Sequence, residues 1–146
     1  MKCEKCQPGT SSTFKAYFCF ECPIRTYSEK SGAPYCQNCS DGFITNFKRT
    51  KCSICPTGTY SNDNGTECVP CKPGSFSNAS GVPNELKCEL CPKGSYSNKS
   101  GSFYCTACPK GTWENSTGNS ECTQKCSVGT FGAIEGAFND SHCVEC

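Results

Sequence analysis

The sequence predicts an elongated, rod-like array of small disulfide-rich repeats, each a short irregular β-hairpin with little regular secondary structure. Three observations lead there. First, the cysteines form nine couples, Cys3/Cys6, Cys19/Cys22, Cys36/Cys39, Cys52/Cys55, Cys68/Cys71, Cys88/Cys91, Cys105/Cys108, Cys122/Cys126 and Cys143/Cys146, and none stands outside the series. Eight couples are C-x-x-C, one is C-x-x-x-C, and 12 to 16 residues separate successive couples, which is the mark of an internally repeated chain. Second, cysteine is 18 of 146 residues, above the ~8–10% of a disulfide scaffold. Hydrophobic residues, cysteine included, make up only 35%, so aliphatic side chains cannot supply a shared core. A repeat of 16 to 20 residues lies below the ~40 residues under which a chain needs cross-links, metals or association to fold. Third, the residues between couples repeat in register.

The units run approximately 3-22, 22-39, 39-55, 55-71, 71-91, 91-108, 108-126 and 126-146, numbered 1 to 8 below, as one tandem array. Counting from the second cysteine of each couple, glycine stands three residues on at Gly9, Gly42, Gly58, Gly74, Gly94, Gly111 and Gly129, with Arg25 as the exception. An aromatic stands five residues on at Tyr27, Tyr60, Phe76, Tyr96, Trp113 and Phe131. A second glycine follows ten residues on at Gly32, Gly65, Gly81, Gly101, Gly118 and Gly136. Units 1 and 3 lack the last two marks and read as degenerate or differently built. Pro-x-Gly after the cysteine predicts a turn, with proline fixing φ and glycine supplying a positive φ or a close backbone approach. Thr/Ser, aromatic, Ser is a very short β segment, and Asn-Gly, Ser-Gly or Thr-Gly turns the chain back. One ring per unit either covers its own disulfide, the local reading favoured here, or stacks on the neighbouring unit as a thin hydrophobic spine.

C-x2-C-x12-C-x2-C is also a zinc-site spacing, met by Cys3/Cys6 with Cys19/Cys22 and by Cys36/Cys39 with Cys52/Cys55. Asparagine argues for disulfides instead. Of ten asparagines, six open an N-x-[ST] sequon: Asn38, Asn64, Asn78, Asn98, Asn115 and Asn139. Asn78, Asn98 and Asn115 share one place in the repeat, seven residues past the second cysteine, where a glycan can point into solvent. Asn38 is the weakest, since it lies inside the Cys36/Cys39 couple. A glycan needs the secretory pathway, which is oxidising; the expected location is extracellular or cell-surface.

Connectivity is not fixed by sequence. The preferred pairing closes each hairpin: Cys6–Cys19, Cys22–Cys36, Cys39–Cys52, Cys55–Cys68, Cys71–Cys88, Cys91–Cys105, Cys108–Cys122 and Cys126–Cys143. Each loop of ~15 residues contributes about 3 kcal/mol in the chain-entropy model. Cys3 and Cys146 are then left for bonds between adjoining repeats or neighbouring molecules. The alternative is interleaved pairing, first to third and second to fourth within each group of four.

The run Cys-Pro-x-Gly-Thr/Ser-aromatic-Ser ending in C-x-x-C, as in Cys55-PTGTYSNDNG, Cys91-PKGSYSNKSG and Cys108-PKGTWENSTG, resembles the cysteine-rich repeats called ephrin-receptor-like. More loosely it resembles the first half of a tumour-necrosis-factor-receptor module. The resemblance covers nearly the whole chain and is strongest from Cys55 to Cys122. Similar tandem repeats occur in protist surface antigens and extracellular filaments. It implies an extracellular elongated scaffold and carries over no ligand.

Composition narrows function further. A net charge of +1 with interspersed Lys/Arg and Asp/Glu gives no footprint for nucleic acid or an acidic membrane surface. No apolar run is long enough to span a bilayer or to serve as a secretory signal. Because Met1-Lys2-Cys3 enters the repeat at once, the sequence reads as a segment or mature form. His142, the single histidine, lies beside Cys143 with no partner for metal or general-base work. No catalytic residue, cofactor site or metal site is expected. The expected role is structural: a glycosylated segment of a filament, coat or surface antigen, whose partners are N-linked glycans and itself, as a polymer or as a continuation of the same array. The alternative is a receptor ectodomain binding a protein ligand through Phe14, Tyr17, Phe18, Phe20, Arg25 and Tyr27. A weaker candidate of that kind is Phe43 to Lys51, with Phe47, Lys48 and Arg49.

Overall fold

A computed structural model describes residues 4–12 and 18–146. Cys3, Phe14 and Tyr17 lie outside the described residues. The chain is a run of two-stranded antiparallel hairpins: Thr10–Ser11 with Phe20–Glu21, Thr26–Tyr27 with Gln37–Asn38, Phe43–Thr45 with Cys52–Ile54, Thr59–Ser61 with Cys68–Pro70, Ser75–Phe76 with Glu89–Leu90, Ser95–Tyr96 with Thr106–Ala107, Thr112–Trp113 with Gln124–Lys125, and Thr130–Gly132 with Cys143–Glu145. No strand exceeds three residues, and the helical content among the described residues is two single 3-10 turns, Glu85–Lys87 and Asp140–His142. Strands this short bury too little to stand alone, so cross-links and stacking hold the fold.

Each hairpin starts from one turn. In unit 6, Ser95 N–H donates to the Pro92 carbonyl at 3.1 Å and its hydroxyl donates to the same oxygen at 2.7 Å. Thr10, Thr26, Thr59, Ser75, Thr112 and Thr130 repeat that double bond. The Thr/Ser before the aromatic is therefore a turn lock as much as a strand former. The glycine between has positive φ, +76° at Gly94, the geometry a type II turn requires. Arg25 takes the same conformation in unit 2, at +63°. The hairpin closes when the second cysteine of the next couple donates its N–H back to that residue, as Cys108 does to the Gly94 carbonyl at 2.8 Å.

Eight disulfides lie at the hairpin bases: Cys6–Cys19, Cys22–Cys36, Cys39–Cys52, Cys55–Cys68, Cys71–Cys88, Cys91–Cys105, Cys108–Cys122 and Cys126–Cys143, with Cα–Cα distances of 5.5–5.9 Å. Cys146 is free and exposed. The second cysteines form the interior: Cys22, Cys55, Cys71, Cys91 and Cys108 are fully buried, and Cys6 and Cys39 nearly so. Beside them lie Ser28, Thr45, Ser61, Ser77, Ser97 and Glu114, all buried and all six residues past a second cysteine. The repeated aromatics, by contrast, are half-buried, and Phe131 is exposed. The deepest positions are thus the second cysteines and the residues six past them, and the repeated rings lie less deeply than either.

Candidate functional site

The feature that organises this molecule is the joint between units, which is made mostly by backbone. In the joint between units 5 and 6, Gly74 N–H donates to the Ser97 carbonyl at 2.8 Å, Ser77 N–H to the Ser102 carbonyl at 3.0 Å, and Gly101 N–H to the Cys71 carbonyl at 2.8 Å. The same three bonds recur between units 4 and 5 (Gly58 to Ser77, Ser61 to Val82, Gly81 to Cys55) and between units 6 and 7 (Gly94, Ser97, and Gly118 to Cys91). Between units 7 and 8 the second and third of them recur, as Glu114 to Ala137 and Gly136 to Cys108. Because each bond satisfies a buried backbone group, the joint is independent of most side-chain identities, and that is why the loops can vary.

A second contact skips one unit. The α-carbon of Gly74 in unit 5 lies under the carbonyl of Gly118 in unit 7, and a β-carbon there would overlap that oxygen. Gly58 meets Gly101, Gly94 meets Gly136, Gly42 meets Gly81, and Gly9 meets Lys48 in the same way. Glycine recurs at this place for two reasons at once, the positive φ and a backbone from two units further on. The sequence carries the glycine; the partner is set only by how the units stack.

Two arginines replace glycines and change the joint. Arg49 stands ten residues past Cys39, where six of the other seven units have glycine, and adopts φ +53°. Unit 3 therefore keeps the backbone bend although its sequence lacks the glycine. Its N–H turns inward to the Asn46 carbonyl at 2.9 Å, and its guanidinium takes over the bond to the Cys22 carbonyl that a glycine N–H makes elsewhere. Arg25, in place of the first glycine of unit 2, pairs with Asp41 of unit 3 and donates to the Asp63 carbonyl of unit 4 at 3.1 Å. Its side chain packs on Gly65 of unit 4, occupying the space that a carbonyl fills in its neighbours. These arginines are stitches of the stack.

The other residues singled out from the sequence are dispersed. Asn38, Asn64, Asn78, Asn98 and Asn115 are exposed, whereas Asn139 is half-buried and caps the last 3-10 turn, its carboxamide oxygen accepting from Ser141 N–H at 3.1 Å. His142 lies edge-on to Phe138, ring centroids 4.8 Å apart. The couples with zinc spacing are divided among disulfides, Cys6 to Cys19, Cys22 to Cys36, Cys39 to Cys52 and Cys55 to Cys68. Phe18 and Phe20 are exposed and Tyr27 is half-buried. Phe47, fully exposed, Lys48 and Arg49 border an open groove of about 650 Å³ against Gln7, Pro8 and Glu21.

One of the buried residues six past a second cysteine ionises. Glu114 takes the place held by serine or threonine in most units and is 5% exposed. Its carboxylate accepts from the Ser116 hydroxyl at 3.0 Å and from the Thr123 hydroxyl, on the segment before the return strand, at 3.1 Å. Burial pushes the carboxyl up, but the hydroxyls and backbone N–H groups of Ser116 and Thr123 outweigh it and hold it below its ordinary value. The periodicity of cysteine, glycine and aromatic drew attention away from this sixth position, although the serine that follows the aromatic was its visible signal.

Among curated proteins no relative matches the chain. The family model described as tyrosine-protein kinase ephrin type A/B receptor-like matches in three overlapping windows, residues 58–103, 82–112 and 94–143. Overlapping windows are what a tandem repeat produces, and together they span more than half of the chain. This cysteine-rich repeat family is not a catalytic domain, and with eight disulfides the chain has the character of an extracellular or secreted domain. No helix among the described residues is long and apolar enough to cross a membrane. The chain belongs to the ephrin-receptor-like family of cysteine-rich repeats.

Proposed function

We propose that the chain is a glycosylated structural array of the extracellular space, a segment of a filament, surface coat or surface antigen, built of the eight units given above. The observation that carries this reading is the repeated joint: the same backbone bonds recur between units 1 and 2 and from unit 4 to unit 8, and the same glycine contact recurs at Gly9, Gly42, Gly58, Gly74 and Gly94. In such an array, stability is a sum of units and nearest-neighbour joints, and the product is length and stiffness rather than a pocket. N-linked glycans at Asn64, Asn78, Asn98, Asn115 and Asn139, and less readily at Asn38, coat its side. Electron microscopy of native material tests the reading, which expects straight particles that lose their shape on reduction; compact particles unaffected by reductant would refute it. Peptide mapping under non-reducing conditions checks the pairing, and mass spectrometry of the same peptides checks the glycans.

A receptor ectodomain is the second reading. It is favoured by the fully exposed Phe47 beside the groove between units 1 and 3, since interface energy concentrates in a few aromatic and arginine anchors. Phe47→Ala separates the two: it leaves a structural rod unchanged and weakens capture of a protein ligand.

A further inference from the structure

We propose that the tip of unit 6 is a cleft for the chain's own sugar, in which the N-acetylglucosamine attached to Asn98 lies on the side chains of Phe103 and Tyr104. The inference rests on the reading of Asn98 as a glycan carrier and adds where that glycan goes. Asn98 is exposed, and with Lys99, Ser100, Phe103, Tyr104 and Thr106 it lines a cavity of about 410 Å³. That volume falls within the ~300–1,000 Å³ of small-molecule sites. Because the carrier is itself part of the wall, attachment fixes which ligand reaches the cleft.

The walls suit a sugar. Phe103 and Tyr104 are 57% and 59% exposed, and their ring centroids lie 4.8 Å apart with planes at 69°. An edge-to-face pair of this kind leaves aromatic face open to solvent. A pyranose has an apolar C–H side and a polar rim of hydroxyls. Its C–H groups, slightly positive, complement the negative face of a ring and shield it from water, while the hydroxyls and acetamide meet Lys99, Ser100 and Thr106. The loop is also held in place before any sugar arrives. The Ser97 hydroxyl donates to the Ser102 hydroxyl at 2.7 Å, that hydroxyl donates to the Lys99 carbonyl at 2.9 Å, and Gly101 N–H donates to the Cys71 carbonyl at 2.8 Å. A tethered ligand entering a preformed cleft has little further freedom to lose.

Neighbouring units supply the comparison. Unit 2 has a matching cavity of about 330 Å³, with Tyr35 in the place of Tyr104, but Glu29 stands where unit 6 has Asn98. Unit 7 has the sequon at the same place, at Asn115, but Ser120 and Glu121 stand where unit 6 has the two rings. In unit 5 no aromatic residue lies between Asn78 and Cys88. Unit 6 has both the carrier and the aromatic wall.

The test uses the oxidised chain made in a secretory host and trimmed with an endoglycosidase to one N-acetylglucosamine per site, after mass spectrometry has measured occupancy at Asn98. Proton NMR then compares the Asn98 sugar with free N-acetylglucosaminyl-asparagine. The expected result is an upfield displacement of the sugar C–H protons, as protons over a ring face experience, and its loss in the double variant Phe103→Ser, Tyr104→Ser. Both rings are exposed, so the variant should keep the hairpin, and unmoved amide signals from the other units report that it has. Sugar protons undisplaced in the unsubstituted chain, or a displacement that survives both substitutions, overturn the cleft and leave the glycan reading standing. A bare Asn98 in the mass spectrum sinks the glycan reading at this site and the cleft with it.

Discussion

Units 3 and 4 and units 5 to 8 use the same hairpin but do different things with its tip. In units 5 to 8 the tip glycine donates to the buried cysteine carbonyl of the preceding unit, through Gly81, Gly101, Gly118 and Gly136 at 2.8 Å each. In units 3 and 4 the tip closes on itself. Asn46 and Asn62 accept through their side-chain oxygen from the N–H groups of Thr50 and Lys51, and of Thr66 and Glu67. Arg49 N–H and Gly65 N–H, the equivalents of the docking donors, bond to Asn46 and Asn62 instead. A self-sufficient tip gives up its bond to the neighbour, and the backbone bonds that remain, Ser28 N–H to the Arg49 carbonyl and Thr45 N–H to the Gly65 carbonyl, are joined by Arg49 on Cys22 and by Arg25 on Asp41 and Asp63. Where the backbone makes the joint, loop sequence is free; where side chains make it, the joint depends on particular residues.

The largest effect is expected from breaking a backbone joint. Gly74→Ala places a methyl against the Gly118 carbonyl at φ +82°. The left-handed conformation costs about 1–2 kcal/mol, and the overlap adds about 1–3 kcal/mol. Gly129→Ala carries the backbone cost alone, since nothing lies within 4 Å. Urea unfolding of the oxidised protein should rank Gly74→Ala as clearly the worse of the two. Equal losses would mean that units 5 and 7 do not touch in solution.

A smaller effect is expected from the side-chain joint, and there the sign of each part can be separated. Arg49→Gly relieves the left-handed conformation, a gain of about 1 kcal/mol, but leaves the Cys22 carbonyl without its charged donor, a loss of about 1.5–3 kcal/mol. Arg49→Ala loses the donor and keeps the strain. Both should destabilise, alanine more than glycine by about 1 kcal/mol, and faster amide exchange should centre on Ser28, whose N–H donates to the Arg49 carbonyl at 2.9 Å. A neutral Arg49→Gly would show that the guanidinium bond contributes nothing.

The hairpins and the family were legible in the sequence because both rest on local chemistry: Pro-x-Gly turns, couples at near-constant spacing, and too few aliphatic residues for any other core. The contact between Gly74 and Gly118 was legible only by half. Its glycine announced a positive φ or a close approach, but the approaching carbonyl is two units away, and nothing local encodes how units stack. Arg25 and Arg49 looked like breaks in the pattern for the same reason. Their left-handed backbones preserve it, and their side chains reach partners 16 to 38 residues distant. The buried sixth position was missed because serine normally signals surface, whereas here stacking closes over it while its hydroxyl is bonded, as Ser97 is to Ser102 at 2.7 Å.

The smallest expected effect lies at that sixth position, where the two regions differ in charge. Ser61 of unit 4 does not titrate, whereas Glu114 of unit 7 does, and folding holds its carboxyl below the ordinary value. A depressed folded pKa means that folding favours the ionised form. The contribution is therefore complete above the unfolded pKa and is lost as pH falls through the folded one. Acid should loosen unit 7, together with the bonds made by its backbone, Gly94 N–H to the Glu114 carbonyl at 2.9 Å and Glu114 N–H to the Ala137 carbonyl at 3.2 Å. Glu114→Gln should cost about 1 kcal/mol near neutral pH, the margin of a charge-assisted over a neutral hydrogen bond, and should flatten the acid limb of stability against pH. The measurement is the urea midpoint across an acidic pH series for both proteins. An acid limb unchanged by the substitution would assign it to exposed carboxylates and leave Glu114 as a packing residue like the serines it replaces.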